Sequence, residues 1–264
     1  MYLLIDIGNS TILVAVANTE GEIISSWRFD TMKDEPTHYF AKNISEGLQR
    51  ISIDSKQIQQ TAISSVVPEI NGRFVDAIYS LTGSVPRFFT ISDAESILSI
   101  DVDCPEQVGK DRLADAIGAL KGYGCPTIII DFGTATTVGV ITEDKRFLGG
   151  MIIPGVKTSH RALCERASQL SPINEWTAKD IIGRSTTEAM QSGMMYGTAC
   201  MIDGIVERIS CQYPANYNII ATGGMAQYIV PYCTHAITID KYLLLKGIFH
   251  AVISNKTSIK DDKR

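Results

Sequence analysis

Apolar residues in the first half of the chain fall either in short runs or at helical spacing. Short apolar runs bounded by Gly, Asn or Pro are typical of strands. They predict strands over residues 2–7, 12–17, 22–29, 62–67 and 86–91. Apolar positions three or four residues apart are typical of one helix face. They predict helices over residues 40–51 and 70–81, and a third from Asp111 to about Gly122.

The second half of the chain repeats this order of elements. The apolar runs predict strands over residues 127–131, 136–142, 145–153, 217–221 and 236–239. Residues 155–212 are predicted to be mostly helical, with an interruption near Ser171-Pro172, and a last helix is predicted around residues 242–253. The whole pattern predicts an α/β protein.

Two short segments carry the same order of apolar residue, Asp, apolar residue, Gly and polar residue. They are LIDIGNST at residues 4–11 and IIDFGTATT at residues 129–137, almost half the chain apart. Self-similarity at this distance predicts two domains of like topology, over residues 1–118 and 119–264. A ligand is then expected in the cleft between them.

The glycine in each segment allows a tight turn whose backbone N–H groups can hold an anion such as a polyphosphate. A carboxylate repels phosphate, so Asp6 and Asp131 would act there as partners of a cation. A single copy is better explained by an Asp that caps a tight turn through its own side chain. Two symmetric copies favour phosphate binding.

Composition narrows the class of protein. The 264 residues carry a net charge of −5, which argues against a nucleic-acid binder because neutralising phosphates needs clustered Lys and Arg. The six cysteines form no C-x-x-C pair, so we expect reduced thiols in the cytoplasm. Asp6 interrupts the first apolar run too early for a signal peptide. No apolar run approaches the roughly 18 residues of a membrane span.

The segment EQVGKDRLADA places Asp111 and Arg112 side by side at the head of a helix. The helix dipole explains an acid in the first turn, but not the neighbouring Arg112. An Asp–Arg pair suits phosphoryl transfer, because the carboxylate accepts the proton of an attacking hydroxyl and the guanidinium holds an anion.

Paired D-x-G-[NT] turns in two related halves resemble the superfamily of acetate kinases, sugar kinases, heat-shock chaperones and actin. Six motifs narrow the resemblance to type III pantothenate kinases. In chain order they are DIGNST (6–11), VGKDR (108–112), DFGTATT (131–137), GGMIIPG (149–155), GRSTTEAMQSGMMYG (183–197) and ATGG (221–224).

The resemblance implies two actin-like (ribonuclease H-like) domains, each with a mixed sheet flanked by helices, and an active site in the cleft between them. It implies ATP-dependent phosphorylation of pantothenate to 4'-phosphopantothenate, the first step of coenzyme A biosynthesis. It further implies a homodimer, Mg²⁺ and a monovalent cation, K⁺ or NH₄⁺.

The resemblance also assigns roles to individual residues. Asp111 would be the general base, Asp131 would bind the monovalent cation, and Asp6 would lie on the magnesium side. ATP would be contacted by Asp6, Ile7, Gly8, Asn9, Ser10, Thr11, Ile12, Leu13 and Thr134. Pantothenate would be contacted by Gly109, Lys110, Asp111, Arg112, Thr186 and Val102. Val102 stands where many members have a tyrosine, and Lys110 where the residue is usually small or apolar.

Two alternatives remain at this point. The first is a kinase of the same superfamily that acts on another small hydroxyl substrate, such as a sugar, and Val102 keeps it open. The second is a non-catalytic accessory regulator of transcription with the same fold. Retention of Asp6, Asp111, Arg112 and Asp131 counts against lost chemistry.

Overall fold

A computed structural model describes residues 1–254 of the chain. The chain divides into two compact units. Unit 1 comprises Met1–Gly122 together with the chain from Tyr242 onward, and unit 2 comprises Tyr123–Lys241. Unit 1 is therefore built from two separate stretches of sequence.

Unit 1 begins with a three-stranded antiparallel meander and continues with parallel strands. Its strands are β1 (Tyr2–Ile7), β2 (Thr11–Ala17), β3 (Ile23–Asp30), β4 (Gln60–Ser65), β5 (Arg87–Phe88) and β6 (Ser99–Ile100). Its first four helices are α1 (Thr37–Arg50), α2 (Asn71–Thr82), α3 (Ile91–Glu95) and α4 (Lys110–Tyr123). The sheet order is β3-β2-β1-β4-β5, with β4 parallel to both of its neighbours.

The core of unit 1 lies between one face of this sheet and helices α1 and α2. Alternate residues of β1 enter the core, among them Ile5 and Ile7, because side chains along a strand point to opposite faces. The Phe40 and Phe74 rings meet in the core, with centroids 4.6 Å apart. This places Asp6, between Ile5 and Ile7, on the opposite face of the sheet.

Unit 2 has the same strand connectivity. Its elements are β7 (Thr127–Phe132), β8 (Ala135–Ile141), β9 (Arg146–Pro154), α5 (Val156–Arg166), α6 (Thr186–Gln212), β10 (Asn218–Thr222), α7 (Ala226–Ile229) and β11 (Thr238–Ile239). Its strands run β11-β10-β7-β8-β9, again with an antiparallel meander and two parallel strands. The predicted relationship between the two halves is therefore visible in their topology.

The α5–α6 connection is longer than the sequence predicts. The predicted interruption near Ser171-Pro172 extends over residues 167–185. Side chains replace helical carbonyls as acceptors there: the Ile173 N–H donates to His160 Nε2 at 3.1 Å, and the Ala178 N–H donates to the Tyr232 hydroxyl at 2.8 Å. The segment is thus anchored without forming a helix.

The chain returns to unit 1 through α8 (Leu243–Ile248) and a π-helical segment, Phe249–Ser254. Gly118 and Gly247 let the backbones of α4 and α8 approach closely, since a Cβ at either would overlap a carbonyl of the other helix. Arg87 Nη1 also donates to the Val252 carbonyl at 2.7 Å. This segment, predicted as part of a 119–264 domain, packs with unit 1, and residues 255–264 of that domain lie outside the described chain.

Over residues 1–254, no helix has both the length and the apolar composition needed to cross a bilayer. All six cysteines are free thiols, as the sequence predicts.

Candidate active site

The first glycine turn joins β1 to β2 through Gly8, Asn9 and Ser10. The Gly8 N–H donates to the Thr11 carbonyl at 3.1 Å, so a backbone carbonyl satisfies it rather than a capping Asp side chain. Asn9, Ser10 and Thr11 are exposed. The turn therefore presents hydroxyl and amide groups to solvent beside the Asp6 end of β1.

Thr31 fixes this turn from the end of β3. Its Oγ1 donates to the Gly8 carbonyl at 2.7 Å, and its N–H donates to the Ser10 carbonyl at 3.1 Å. Sequence reasoning did not find Thr31. The available signal was its position directly after Asp30, which pairs with Thr11 in the β2–β3 ladder. A turn held in this way loses little conformational freedom when a ligand binds.

Two of the predicted ATP contacts, Ile7 and Ile12, are fully buried in the core. Their side chains face away from Asp6, so only main-chain atoms remain for such a contact. Leu13 is 9% exposed and lies opposite Asp6 in the β1–β2 ladder, so its side chain shares the face of Asp6. The exposed polar groups of the motif come from Gly8 to Thr11.

The second turn joins β7 to β8 through Gly133 and Thr134 and is one residue shorter than the first. The Gly133 N–H donates to the Ala135 carbonyl at 3.1 Å. A threonine again fixes the turn: Thr158 Oγ1 donates to the Thr134 carbonyl at 2.8 Å, alongside the Gly155 N–H at 3.2 Å. Thr134 itself is exposed.

Asp131 lies opposite Thr137 and Thr222 in the ladders of β7. It points to the face opposite Ile130 and Phe132, which enter the core of unit 2. Asp131 thus occupies the position in unit 2 that Asp6 occupies in unit 1.

Two glycines make room for the Asp131 carboxylate. A Cβ at Gly133 would lie 3.1 Å from Oδ2, and a Cβ at Gly223 would overlap Oδ1. Gly223 also adopts φ +87°, a conformation that glycine alone adopts readily. Gly223 belongs to the ATGG motif at residues 221–224, one of the six motifs of the resemblance, and the structure places it beside the Asp131 carboxylate.

Carboxylate oxygens are suitable ligands for hard cations. Nowhere in residues 1–254 do three His, Cys, Asp or Glu side chains group as a metal site. A single carboxylate such as that of Asp6 or Asp131 can hold a cation that completes its coordination with phosphate or water oxygens, as Mg²⁺ usually does.

The Gly109–Arg112 segment forms the start of α4. The Leu113 N–H donates to the Gly109 carbonyl at 3.2 Å, and the Arg112 N–H donates to Asp111 Oδ1 at 2.9 Å. A Cβ at Gly109 would overlap that same Oδ1, so the glycine lets the carboxylate fold back over the helix start. The Asp111 carboxylate is thereby held in one orientation.

Burial lowers the pKa of the Arg112 guanidinium, and the neighbouring Asp111 carboxylate opposes this shift. Arginine still remains charged at neutral pH. A partly buried cation beside an oriented carboxylate gives this helix start both an anion-binding group and a proton acceptor. Lys110 and Val102 are both partly exposed, and Val102 precedes the short 3₁₀ turn Pro105–Gln107.

Thr186 is the first residue of α6 and is exposed. A capping box fixes the helix start before it: the Glu188 N–H donates to Ser185 Oγ, and Glu188 Oε2 accepts from the Ser185 N–H, both at 3.2 Å. Thr186 is therefore positioned by its neighbours rather than by its own side chain.

The structure thus groups the predicted residues by unit. Unit 1 contains the first turn and the Gly109–Arg112 segment, and unit 2 contains Asp131, Thr134 and Thr186. Within unit 2, Gly223 joins Asp131, and Thr158 joins Thr134.

A family model and two curated relatives point to the same protein family. The family model described as type III pantothenate kinase matches residues 2–208. A type III pantothenate kinase of Dictyoglomus turgidum is 38% identical over 257 residues, covering 97% of this chain and all of the relative. A second, from Halalkalibacterium halodurans, is 34% identical and covers 94% of this chain and 97% of its own.

Solved structures match at lower identity. A Campylobacter jejuni protein described as a putative Baf family transcriptional activator aligns with TM-score 0.60 and 20% identity, covering 97% of this chain and 99% of its own. A ROK family glucokinase of Streptomyces griseus aligns with TM-score 0.54 and 14% identity, covering 94% and 97%. These likenesses show the fold alone. With the two like sheets, they confirm the predicted α/β fold with two actin-like domains.

Proposed function

The chain belongs to the type III pantothenate kinase family, and on this premise we propose that it transfers the γ-phosphoryl group of ATP to pantothenate. The product is 4'-phosphopantothenate, and the reaction is the first step of coenzyme A biosynthesis. The enzyme is a phosphotransferase with an alcohol acceptor. The comparisons favour neither a kinase of another hydroxyl substrate nor a non-catalytic regulator.

The observation that carries the chemistry is the Asp111–Arg112 pair at the start of α4. Asp111 takes the proton of the attacking primary hydroxyl while Arg112 holds the substrate carboxylate or the transferred phosphoryl group. The Arg112 N–H keeps Asp111 Oδ1 in place, which limits the motion of the base. Gly109, Lys110, Val102 and Thr186 are the further proposed contacts to pantothenate.

ATP binding is assigned to the two glycine turns. Gly8 to Thr11 and Thr134 offer backbone and side-chain donors to phosphate oxygens. Thr31 and Thr158 keep these turns in place. Mg²⁺ neutralises phosphate charge when bound, and Asp6 is the proposed carboxylate on the magnesium side.

Asp131 is the proposed ligand of a monovalent cation, K⁺ or NH₄⁺. The support for this proposal is the space around the Asp131 carboxylate. Gly133 and Gly223 leave that space free, because a side chain at either position would crowd the carboxylate oxygens. A homodimer and a cytoplasmic location complete the proposal, with no role for nucleic acid or membrane.

The test is an assay of ADP release that depends on pantothenate, run with and without K⁺. We expect ADP release only with pantothenate, stimulation by K⁺, and a product with the mass of phosphopantothenate. Glucose and other sugars serve as the comparison panel, and a DNA mobility shift at physiological salt tests the regulator. Phosphorylation of a sugar but not of pantothenate would overturn the proposal. Light scattering measures the oligomeric state.

A further inference from the structure

Arg28 lies on the same face of the unit 1 sheet as Asp6. The β1–β2 ladder places Asp6 opposite Leu13, and the β2–β3 ladder places Leu13 opposite Arg28. Residues directly opposite each other on neighbouring strands point to the same face. Trp27 and Phe29, the neighbours of Arg28 along β3, pack against the core that α1 and α2 cover. Arg28 therefore points away from that core, at the level of Asp6 and two strands from it.

Part of this face is covered by the chain that returns to unit 1, and Arg28 lies beyond the covered part. Ser26, two residues before Arg28 on the same face, has its Oγ 3.1 Å from the Tyr242 hydroxyl. Arg28 is exposed, and so is Asp30, which lies opposite Thr11 directly after the first glycine turn. The Arg28 side chain thus leaves the exposed part of the face, close to that turn.

The Arg28 guanidinium has no internal partner. Within residues 1–254 it forms no hydrogen bond and no ion pair. Two other arginines of unit 1 are held by the fold: Arg73 donates to the Glu35 carbonyl at 2.6 Å, and Arg87 donates to Asp93 at 3.1 Å. Arginine has five N–H donors in a planar fork that fits phosphates and carboxylates. The donors of Arg28 are available to a ligand.

The separation of Arg28 from Asp6 suits a ligand that bridges them. Neighbouring strands are about 4.8 Å apart, so the backbones of the two residues are separated by about 10 Å. The side chain of Leu13, which lies between them, is apolar and competes for no hydrogen bond. Phosphate groups with their cation suit such a gap, because a carboxylate can hold the cation while a guanidinium binds the anionic oxygens.

We propose that Arg28 is a further contact to the phosphates of ATP, in addition to the two glycine turns. The inference rests on the proposed function, because it takes Asp6 and the first turn as phosphate-side groups. The guanidinium stays protonated and donates charge-assisted hydrogen bonds to phosphate oxygens. Arg28 therefore contributes to the affinity for the nucleotide, whereas proton transfer is assigned to Asp111.

Arg28→Gln tests the contact, because glutamine keeps a polar side chain and removes the charge. Titration calorimetry of the full-length protein measures its affinity for ATP with Mg²⁺, and for adenosine, without pantothenate. We expect the affinity for ATP to fall about 10–150-fold, the range for hydrogen bonds to a charged group, with the affinity for adenosine unchanged. Arg28→Lys should recover part of the loss, since it restores the charge without the planar fork. Thermal unfolding checks that each variant folds.

Arg50→Gln is the matched control. Arg50 is an exposed arginine at the end of α1, which packs against the other face of the sheet, and its substitution changes the net charge equally. It should leave the affinity for ATP unchanged. Unchanged affinity for ATP in Arg28→Gln, or an equal loss in Arg50→Gln, would overturn the inference. An equal loss for adenosine would overturn it too, because adenosine has no phosphate.

The inference and the proposed function fail on different results. A native protein that binds ATP but phosphorylates a sugar instead of pantothenate would overturn the proposed function and leave the Arg28 contact intact. Phosphorylation of pantothenate with the same KM for ATP in the native protein and in Arg28→Gln would overturn only the contact. A native protein that does not bind ATP would overturn both.

Discussion

At the scale of single residues, the three aspartates to which we propose roles differ in their surroundings rather than in residue type. Asp6 and Asp131 occupy equivalent places at the ends of β1 and β7, but Asp131 has two glycines packed around its carboxylate. Asp111 differs from both, because it belongs to a helix start and accepts the N–H of the next residue. These surroundings give each carboxylate a different expected role.

The role of Asp111 is tested by Asp111→Asn. Asparagine keeps the size and the hydrogen bond to the Arg112 N–H but cannot take a proton. We expect kcat to fall by about 10²–10⁴-fold, the usual contribution of a general base, with ATP affinity unchanged. Steady-state kinetics and calorimetry measure the two quantities. Glu106→Gln, an exposed carboxylate five residues earlier, is the control and should keep full activity. Near-native kcat in Asp111→Asn would show that another group is the base.

The space beside Asp131 is tested by Gly223→Ala. The new Cβ overlaps Asp131 Oδ1 and the Phe132 backbone and requires an unfavourable φ, so the carboxylate and the end of β7 must move. We expect the half-saturating concentration of K⁺ to rise by at least about tenfold. We expect the free energy of unfolding to fall by about 1–3 kcal/mol. Gly122→Ala, whose Cβ enters open space, is the control. An unchanged K⁺ response would separate Asp131 from cation binding.

At the scale of elements, helix capping determines where Thr186, a proposed contact to pantothenate, lies. Helix α6 begins at Thr186 because Ser185 and Glu188 close a capping box, and a long irregular segment delivers the chain to it. Helix α3 begins with a second capping box, formed by Thr90 and Asp93. The two boxes allow a matched comparison.

Ser185→Ala and Thr90→Ala each remove a capping hydroxyl. We expect both to reduce stability by about 1 kcal/mol. Only Ser185→Ala should raise the KM for pantothenate, because Thr186 follows it directly. Denaturant unfolding and initial rates give the two readouts. Equal kinetic effects in both variants would mean that lost stability, rather than the position of Thr186, changes the KM.

The sequence predicts the elements with strong apolar patterns and misses those determined by distant contacts. The strands of both meanders and helices α1, α2 and α4 follow from their periodicity. The strand predicted over residues 86–91 is formed only at Arg87–Phe88, because Thr90 ends the apolar run by capping the short helix α3, which the sequence pattern did not predict. The interruption between α5 and α6 was predicted but its length was not, because the acceptors of its N–H groups, His160 and Tyr232, lie outside the segment.

The same limit applies to the candidate site. The repeated Asp-x-Gly turns and the Asp111–Arg112 pair are local, so the sequence reveals them. Thr31 and Thr158 act through contacts with turns that are separate from them in the sequence, and no motif marks them. Gly223 belongs to the ATGG motif, but its position beside the Asp131 carboxylate depends on the fold.

At the scale of the whole molecule, acid stability depends on a buried carboxylate in unit 2. Asp203 on α6 accepts hydrogen bonds from the Thr234 N–H at 2.8 Å and from His235 Nδ1 at 2.9 Å. Burial raises the pKa of the Asp203 carboxyl, but the bonds from His235 and Thr234 outweigh it, and the pKa is lowered overall. A carboxyl with a lowered pKa stabilises the fold above its unfolded value of about 3.9. That stability is lost as pH falls through the folded pKa.

Asp203→Asn should therefore reduce the free energy of unfolding at pH 7 by about 1.5–3 kcal/mol, the range for hydrogen bonds to a charged group. The difference from the native protein should begin to shrink below about pH 4, where the unfolded chain takes up the proton, and should continue to shrink as pH falls through the lower pKa of folded Asp203. Denaturant unfolding across this pH range measures it. Asp144→Asn, at an exposed ion pair with Arg146, is the control and should have little effect. A constant difference at every pH would exclude ionisation of Asp203 as the cause.

The interrupted make-up of unit 1 has a consequence for the order in which the protein is completed during synthesis. Unit 2 is one continuous stretch, and all of it has been made once Lys241 is added. Unit 1 begins first but still lacks α8, whose backbone packs against Gly118 and whose C-terminal extension bonds Arg87. The contacts of α4 with α8, and of Arg87 with the Val252 carbonyl, can therefore form only after the whole of unit 2 has been synthesised. The half of the protein that is translated first is the half that is finished last.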